Sequence, residues 1–397
     1  MRILWLASWY PNPYEPFNGD FIQRHAQAVA ELLPVDVIHV LQAGRSLPVE
    51  KTALIVNKKN GLTEYVHVFK FRPFGIAWVD KLWYNILYHR YYSKIIKEYF
   101  AKNGKPDLIH VHVPVKAGLI ALRLLKKKNI PFIVSEQSSH YEETSPDYFL
   151  KRSKYFQVNT RRIFSNAISV TNVSETIGKK LQSYFELKNY RTIHNLVDTD
   201  LFYYKQKEKN NKLRFIHVSA MGEQKNPAGI IRALAQLNIF HKEWECVLCG
   251  PYKQELKLMV EENELHAQIQ FTGEVAHDRV AKEMQQADVF ILFSNHENFP
   301  CVVAEALCCG LPVIAANAGG VAEAVNDSNG IIVNAGDVEQ LTNALHNIVK
   351  SFDKYDRAII SANAKVLYNK KRIAEQFVEL YNDINNSLIN KGYEKPL

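Results

Sequence analysis

The first half of the chain alternates short apolar, β-branched runs with longer stretches whose apolar residues recur every three or four positions. Residues 3–7, 34–40, 108–113, 131–135 and 167–171 read as buried strands. Residues 20–33, 82–103, 115–129 and 174–183 carry the helical period. Such alternation predicts a parallel sheet, because parallel neighbours need a crossover, usually helical, between them. The run Ile193-His194-Asn195-Leu196-Val197-Asp198 then gives way to a polar, lysine-rich stretch ending at Lys212, a domain boundary. Beyond it the pattern restarts, with strands predicted at 214–219, 245–249, 269–272, 289–293 and 313–316. An amphipathic segment closes the chain, with Ile373, Phe377, Leu380, Tyr381 and Ile384 at helical spacing. The fold class is α/β, with two doubly wound, Rossmann-like domains at 1–197 and 198–370. Ligands of such sheets bind outside the carboxyl ends of the strands, here in the cleft between the domains.

Length agrees with two domains, since 397 residues exceed what one ordinary core organises. Charge divides the halves: residues 1–197 hold 28 Lys/Arg against 15 Asp/Glu, the remainder 21 against 26. The basic half suits an anionic membrane surface or acidic acceptor; solvated lysines on helix backs explain the same counts. No apolar stretch approaches the roughly 20 residues of a membrane span, and the first apolar run is too short for a signal peptide. The expectation is a cytoplasmic protein, soluble or peripheral on the inner face of the membrane, that binds no nucleic acid. Five cysteines without a disulfide framework suit a reducing compartment. Cys246 and Cys249 have a metal-like spacing but lie in a strand, where small buried side chains are the expected reading.

The chemistry concentrates in Asn295-His296-Glu297-Asn298-Phe299-Pro300-Cys301-Val302-Val303-Ala304-Glu305-Ala306-Leu307, directly after a predicted strand. Asn298 reads as the cap of a helix with Pro300 in its first turn, which ends by Gly310. A helix starting at the carboxyl edge of a sheet presents free N–H groups and a dipole to an anion. Glu297 and Glu305 flank that site. Carboxylates would repel a phosphate but accept paired hydrogen bonds from sugar hydroxyls.

Glu297 and Glu305, seven residues apart in this setting, resemble the E-x7-E signature of glycosyltransferase family 4. Gly319-Gly320-Val321-Ala322-Glu323 is similar to that family's Gly-Gly-x-x-Glu turn. Phe271-Thr272-Gly273-Glu274-Val275, Ala287-Asp288-Val289 and Asn195-Leu196-Val197-Asp198 extend the match over nearly the whole chain. The resemblance implies the GT-B fold, with the terminal helix (371–397) crossing back onto the first domain. It also implies retention at the anomeric carbon and a nucleotide-sugar substrate, a UDP-sugar ahead of a GDP-sugar, with no cofactor. Glu305 would take the ribose hydroxyls and Glu297 the donor sugar. The amides around Asn298, Phe299, Pro300 and Cys301 would approach sugar and diphosphate, with Gly319 and Gly320 shaping the pocket.

A second element, Ser219-Ala220-Met221-Gly222-Glu223-Gln224-Lys225-Asn226-Pro227, reads as strand end, loop, cap and helix start. Lys225 stands where a fixed cation would stabilise a leaving diphosphate. The family's usual arginine five positions earlier is Ala220 here. The loop from Ser8 to Phe21 resembles the family's acceptor-side glycine loop, with Asn18-Gly19 in place of two glycines. On the same side His112 is placed near the cleft. Gln137 stands where relatives carry histidine, and His140 either compensates or is a loop residue. His110 and His112 share a strand face but lack a third metal ligand. Asp198-Thr199-Asp200 lies in the linker, so no metal site is expected. Residues 81–97 combine aromatics with Lys81, Arg90, Lys94 and Lys97, which suits either a core helix or a membrane interface. The functional expectation is transfer of a hexose to a glycan or lipid-linked saccharide in surface polysaccharide synthesis. Alternatives are a 2-epimerase-like enzyme or a non-catalytic subunit binding nucleotide or membrane.

Overall fold

The computed structural model describes residues 1–43, 53–207 and 212–390. The first domain runs β1 (Ile3–Ala7), α1 (Asp20–Ala30), β2 (Val35–Gln42), β3 (Ala53–Lys59), β4 (Leu62–Phe69) and α2 (Ala77–Asn103). It continues through β5 (Leu108–His112), α3 (Ala117–Lys128), β6 (Phe132–Glu136), α4 (Lys154–Asn166), β7 (Val170–Asn172), α5 (Glu175–Phe185) and β8 (Tyr190–Thr192). The sheet order is β3-β4-β2-β1-β5-β6-β7-β8, parallel except for β3 against β4. Alternation along β1 builds two cores. Leu4 and Leu6 face the layer of α2 to α5. Ile3, Trp5 and Ala7 face α1 and the terminal helix.

The second domain comprises β9 (Leu213–Val218), α6 (Pro227–Phe240), β10 (Trp244–Cys249), α7 (Gln254–Glu262), β11 (Ile269–Gly273), α8 (His277–Gln286) and β12 (Val289–Leu292). Then come α9 (Cys301–Cys308), β13 (Val313–Ala316), α10 (Val321–Ala324), β14 (Gly330–Val333), α11 (Val338–Ser351) and α12 (Arg357–Tyr368). Its sheet, β11-β10-β9-β12-β13-β14, is entirely parallel. The last helix, α13 (Lys370–Asn390), returns to the first domain. There Ile373, Phe377, Leu380, Tyr381 and Ile384 join the core beneath β1, the apolar stripe read from sequence. Residues 391–397 of the predicted segment lie outside the described residues.

Several boundaries differ from the sequence reading. Helix α2 starts at Ala77, five residues earlier than expected, with the Asp80 carboxylate accepting from the backbone N–H of Phe74 and Gly75 just upstream. The β3–β4 hairpin was not anticipated; β3 is a largely exposed edge strand and lacks the apolar run that marks a buried one. Helix α4 also escaped, because Tyr155 and Val158 point outward and blur its periodicity.

Candidate active site

The carboxyl end of β12 leads into the loop before α9. That helix begins at Cys301, with Pro300 at the N-cap and no side-chain cap. The expectation that Asn298 caps α9 is therefore corrected. Its amide donates instead to the Gln137 carbonyl of the other domain (2.7 Å), and its carbonyl accepts from Gly320 N–H (2.6 Å). Asn298 ties the Gln137 loop across the cleft and the Gly320 turn within its own domain, and leaves the first turn of α9 free of any side-chain cap.

Glu305 follows about one turn into α9 and is almost wholly buried. Its Oε1 accepts from Arg24 Nη1 (3.2 Å), on α1 of the first domain, and from His277 Nε2 (3.0 Å), the first residue of α8. Burial alone would raise the carboxyl pKa. The His277 hydrogen bond and the Arg24 charge outweigh it and hold Glu305 below the ordinary carboxylate value. Arg24 also meets Asp20 at 3.1 Å. Burial opposes its charge, yet the Glu305 and Asp20 carboxylates favour it and its pKa is raised.

Glu297 is equally enclosed and accepts a hydrogen bond from Lys225 Nζ. Lys225 precedes α6, whose start follows the sequence expectation: Asn226 accepts from Gly229 N–H (3.1 Å) and Pro227 opens the helix. Gln224 Nε2 donates to the His296 carbonyl (2.9 Å), and Asn295 N–H to the Gln224 carbonyl (2.8 Å). These bonds zip the Lys225 and Glu297 loops together. Ala220 is exposed and contributes no cation.

Gly319 has φ +56°, and a Cβ there would lie 1.8 Å from the Glu297 carbonyl oxygen. At Gly320 a Cβ would come within 2.5 Å of the Asn298 carbonyl oxygen. The turn therefore lies directly against the Glu297–Asn298 backbone, an approach only glycine permits. Just beyond, the Glu323 carboxylate accepts from Glu175 N–H (2.8 Å), Thr176 N–H (2.7 Å) and the Thr176 hydroxyl (2.6 Å) at the start of α5. Phe299 is buried against His194 (ring centroids 4.8 Å), and its carbonyl accepts from Asn195 (3.1 Å). Burial pushes the Cys301 thiol up to about 12, so it stays neutral.

On the first-domain side, Gly19 sits in the left-handed region (φ +70°) at the N-cap of α1, hard against the Trp9 backbone. Asn18 bonds locally to Glu15 (2.9 Å). Gln137 offers its backbone carbonyl to Asn298. His140 bonds to Ser138 (2.8 Å), and burial lowers its pKa. His112 departs from expectation. It is fully buried between Trp5 and His110, each ring centroid 4.0 Å away, and faces the core rather than the cleft. The two histidines do share a face, but α13 covers it: Tyr381 bonds to His110 (2.7 Å). Cys246 and Cys249 are buried free thiols, and burial raises both pKa values. Asp198 accepts from Asp200 N–H (3.1 Å) in a tight turn. Among the described residues no group of acidic, histidine or cysteine side chains could hold a metal ion, and no helix is long and apolar enough to cross a membrane.

Arg24 and His277 were missed by sequence reasoning. His277 stands two residues beyond the Phe271–Val275 run already noted. Arg24 sits on α1 one turn past Asp20, where an intrahelical pair is sufficient explanation.

Comparison with known proteins agrees with the two-domain fold. Residues 22–201 match the model described as Glycosyltransferase Family 4, and residues 200–365 the model described as Glycosyl transferases group 1. The chain is a glycosyltransferase of the two-domain GT-B class, similar to family 4. Among individual proteins it is 24% identical to TuaC of Bacillus subtilis (strain 168), named for teichuronic acid biosynthesis, over 87% of this chain and 88% of that one. Its fold follows sucrose-phosphate synthase from Thermosynechococcus elongatus (TM-score 0.79, 20% identity, 98% of this chain and 100% of that one). It also follows HepE of Anabaena, solved in complex with UDP-glucose (TM-score 0.71, 19% identity, 96% and 100%).

Proposed function

We propose that this glycosyltransferase moves a hexose from a nucleotide-diphosphate sugar, UDP-linked ahead of GDP-linked, onto a hydroxyl of a glycan or lipid-linked saccharide. The reading places it on the cytoplasmic side, in surface polysaccharide synthesis, and needs no metal ion. One observation carries it: Lys225 and Glu297 are paired beside the uncapped start of α9, with Glu305 held ionised about one turn further on. In this reading the diphosphate lies at the first turn of α9, and Glu305 accepts from the ribose hydroxyls. Glu297 orients the sugar, and Lys225 stabilises the charge that develops on the leaving phosphate. Retention follows if acceptor oxygen attacks on the face the phosphate leaves, its proton passing to that phosphate as the anomeric C–O bond breaks. The UDP-glucose complex of HepE supports the choice of donor class.

The test is thermal shift with a panel of UDP- and GDP-sugars in EDTA, for wild type and Glu305→Ala. A donor that stabilises only the wild type supports the assignment and names the sugar for transfer assays. If no nucleotide sugar binds the wild type, the donor-site reading is wrong. The exposed Ala220 would then favour a non-catalytic subunit.

A further inference from the structure

The outer surface of the helix layer of the first domain is unusual in charge and in exposed apolar side chains. Helices α3 and α4 together carry seven Lys/Arg and no carboxylate. Between α2 and α3 runs a groove of about 780 Å³ with Ile96, Phe100, Ile120 and Leu124 in its lining. Its charged lining residues are Lys97, Lys105, Arg123, Lys127 and Lys128, without an acidic side chain. A second concavity beside it joins Leu82, Ile86, Arg90 and Tyr155, and Arg123 lines both. Towards the start of α2, Trp78 is 72% exposed and Phe74 66%. Lys116 Nζ donates to the Tyr84 hydroxyl (2.7 Å), and Lys116 N–H to Ser8 Oγ (3.0 Å), at the carboxyl end of β1. The surface therefore begins near the rim of the cleft.

We infer that this face docks on an anionic phospholipid bilayer, with Trp78, Leu82 and Ile86 entering the interface and Arg90, Arg123 and Lys127 meeting lipid phosphates. Charge complementarity selects the occupant. Cations attract any polyanion, but a nucleic acid gains little from exposed aliphatic side chains, whereas a bilayer interface takes both kinds of group. The inference deepens the proposed function, because it brings the cleft beside a surface from which a lipid-linked acceptor can be taken. No residue of this face belongs to the donor site, so the two readings fail separately.

The experiment is co-sedimentation of the full chain with vesicles of phosphatidylcholine alone or with added phosphatidylglycerol. It compares wild type, Arg123→Glu/Lys127→Glu and Leu82→Asn/Ile86→Asn. Nucleotide-sugar thermal shift on the same samples reports folding and the donor site. Expected is binding only to the anionic vesicles, reduced about tenfold or more by the charge reversals and also reduced by the apolar substitutions. Trp78 should report entry as a blue-shifted emission that Trp78→Phe abolishes. Equal binding to both vesicles, no binding to either, or variants that bind like wild type would overturn the proposal. So would binding to RNA that is as tight as to lipid and indifferent to the Leu82 and Ile86 changes.

Discussion

Arg24 Nη1 lies 3.2 Å from Glu305 Oε1, although the two residues are 281 positions apart and belong to different domains. His277 reaches the same oxygen at 3.0 Å, while neither donor bonds to Oε2. The arrangement locks the carboxylate in its ionised form and leaves its second oxygen for another partner. A ribose hydroxyl is that partner in the proposed function, with Arg24 and His277 acting as positioning residues. Replacing Arg24 by Gln should weaken nucleotide-sugar binding about tenfold, the scale of one charge-assisted hydrogen bond. Isothermal titration reads this directly. Unchanged affinity would mean that the nucleotide does not rely on the orientation Arg24 gives Glu305.

Lys225 supports a second prediction. Its ammonium pairs with Glu297, and the Gln224–His296 and Asn295–Gln224 bonds fix the loops around it. In the proposed function, with Ala220 in place of a second cation, charge developing on the leaving phosphate falls mainly to Lys225. Lys225→Ala should lower kcat by about a hundredfold or more, with a smaller change in KM, as loss of a preorganised electrostatic contact does. Steady-state kinetics on the donor identified by thermal shift separates the two. A pure KM effect would assign Lys225 to ground-state binding.

Most of the parallel strands and the Glu297–Glu305 segment were legible because buried parallel strands are continuous apolar runs and the motif sits between two of them; β4, β8 and β14 went unread. Strand β3 was not legible either, since its exposed edge carries no such run. His112 was placed near the cleft on a correct reading of strand alternation; what sequence lacked was knowledge that α13 covers that face. The Arg24–Glu305 pair was invisible for a simpler reason: Asp20, four residues away on one helix, already accounts for the arginine. Asn298 misled because its residue type suits a cap, while the fold uses it to join the domains.

The glycine turn makes a third prediction. Gly319 occupies a left-handed φ, and any Cβ would overlap the Glu297 carbonyl at 1.8 Å. Relief of that overlap through the Glu297 backbone would displace this residue relative to Lys225. Gly319→Ala should cost about 1–2 kcal/mol from the left-handed conformation alone, and it should reduce turnover further through displaced Glu297. Chemical denaturation paired with kcat tests both parts. A stable, fully active variant would show that the turn tolerates movement and does not set the Glu297 position.

Acid stability should separate two buried populations. His25 and His39 are held neutral mainly by burial, down to about 3 and about 4, against 6.5 when free. The unfolded chain therefore binds protons that these folded side chains refuse, and stability falls as pH drops below 6.5. Glu305 is also depressed, but from 4.5: burial raises its pKa, and the His277 bond and Arg24 charge more than reverse this. Its contribution is fully present above 4.5 and is lost as pH falls from there through the folded value. Glu305→Gln removes that second term and leaves the histidine term in place. Melting temperatures of wild type and Glu305→Gln should thus decline in parallel between pH 6.5 and 4.5. Below 4.5 the wild type should decline more steeply, so the gap between the two proteins narrows. A constant gap down to about pH 3 would mean that Glu305 has no depressed pKa, and that Arg24 and His277 do not hold it ionised in solution.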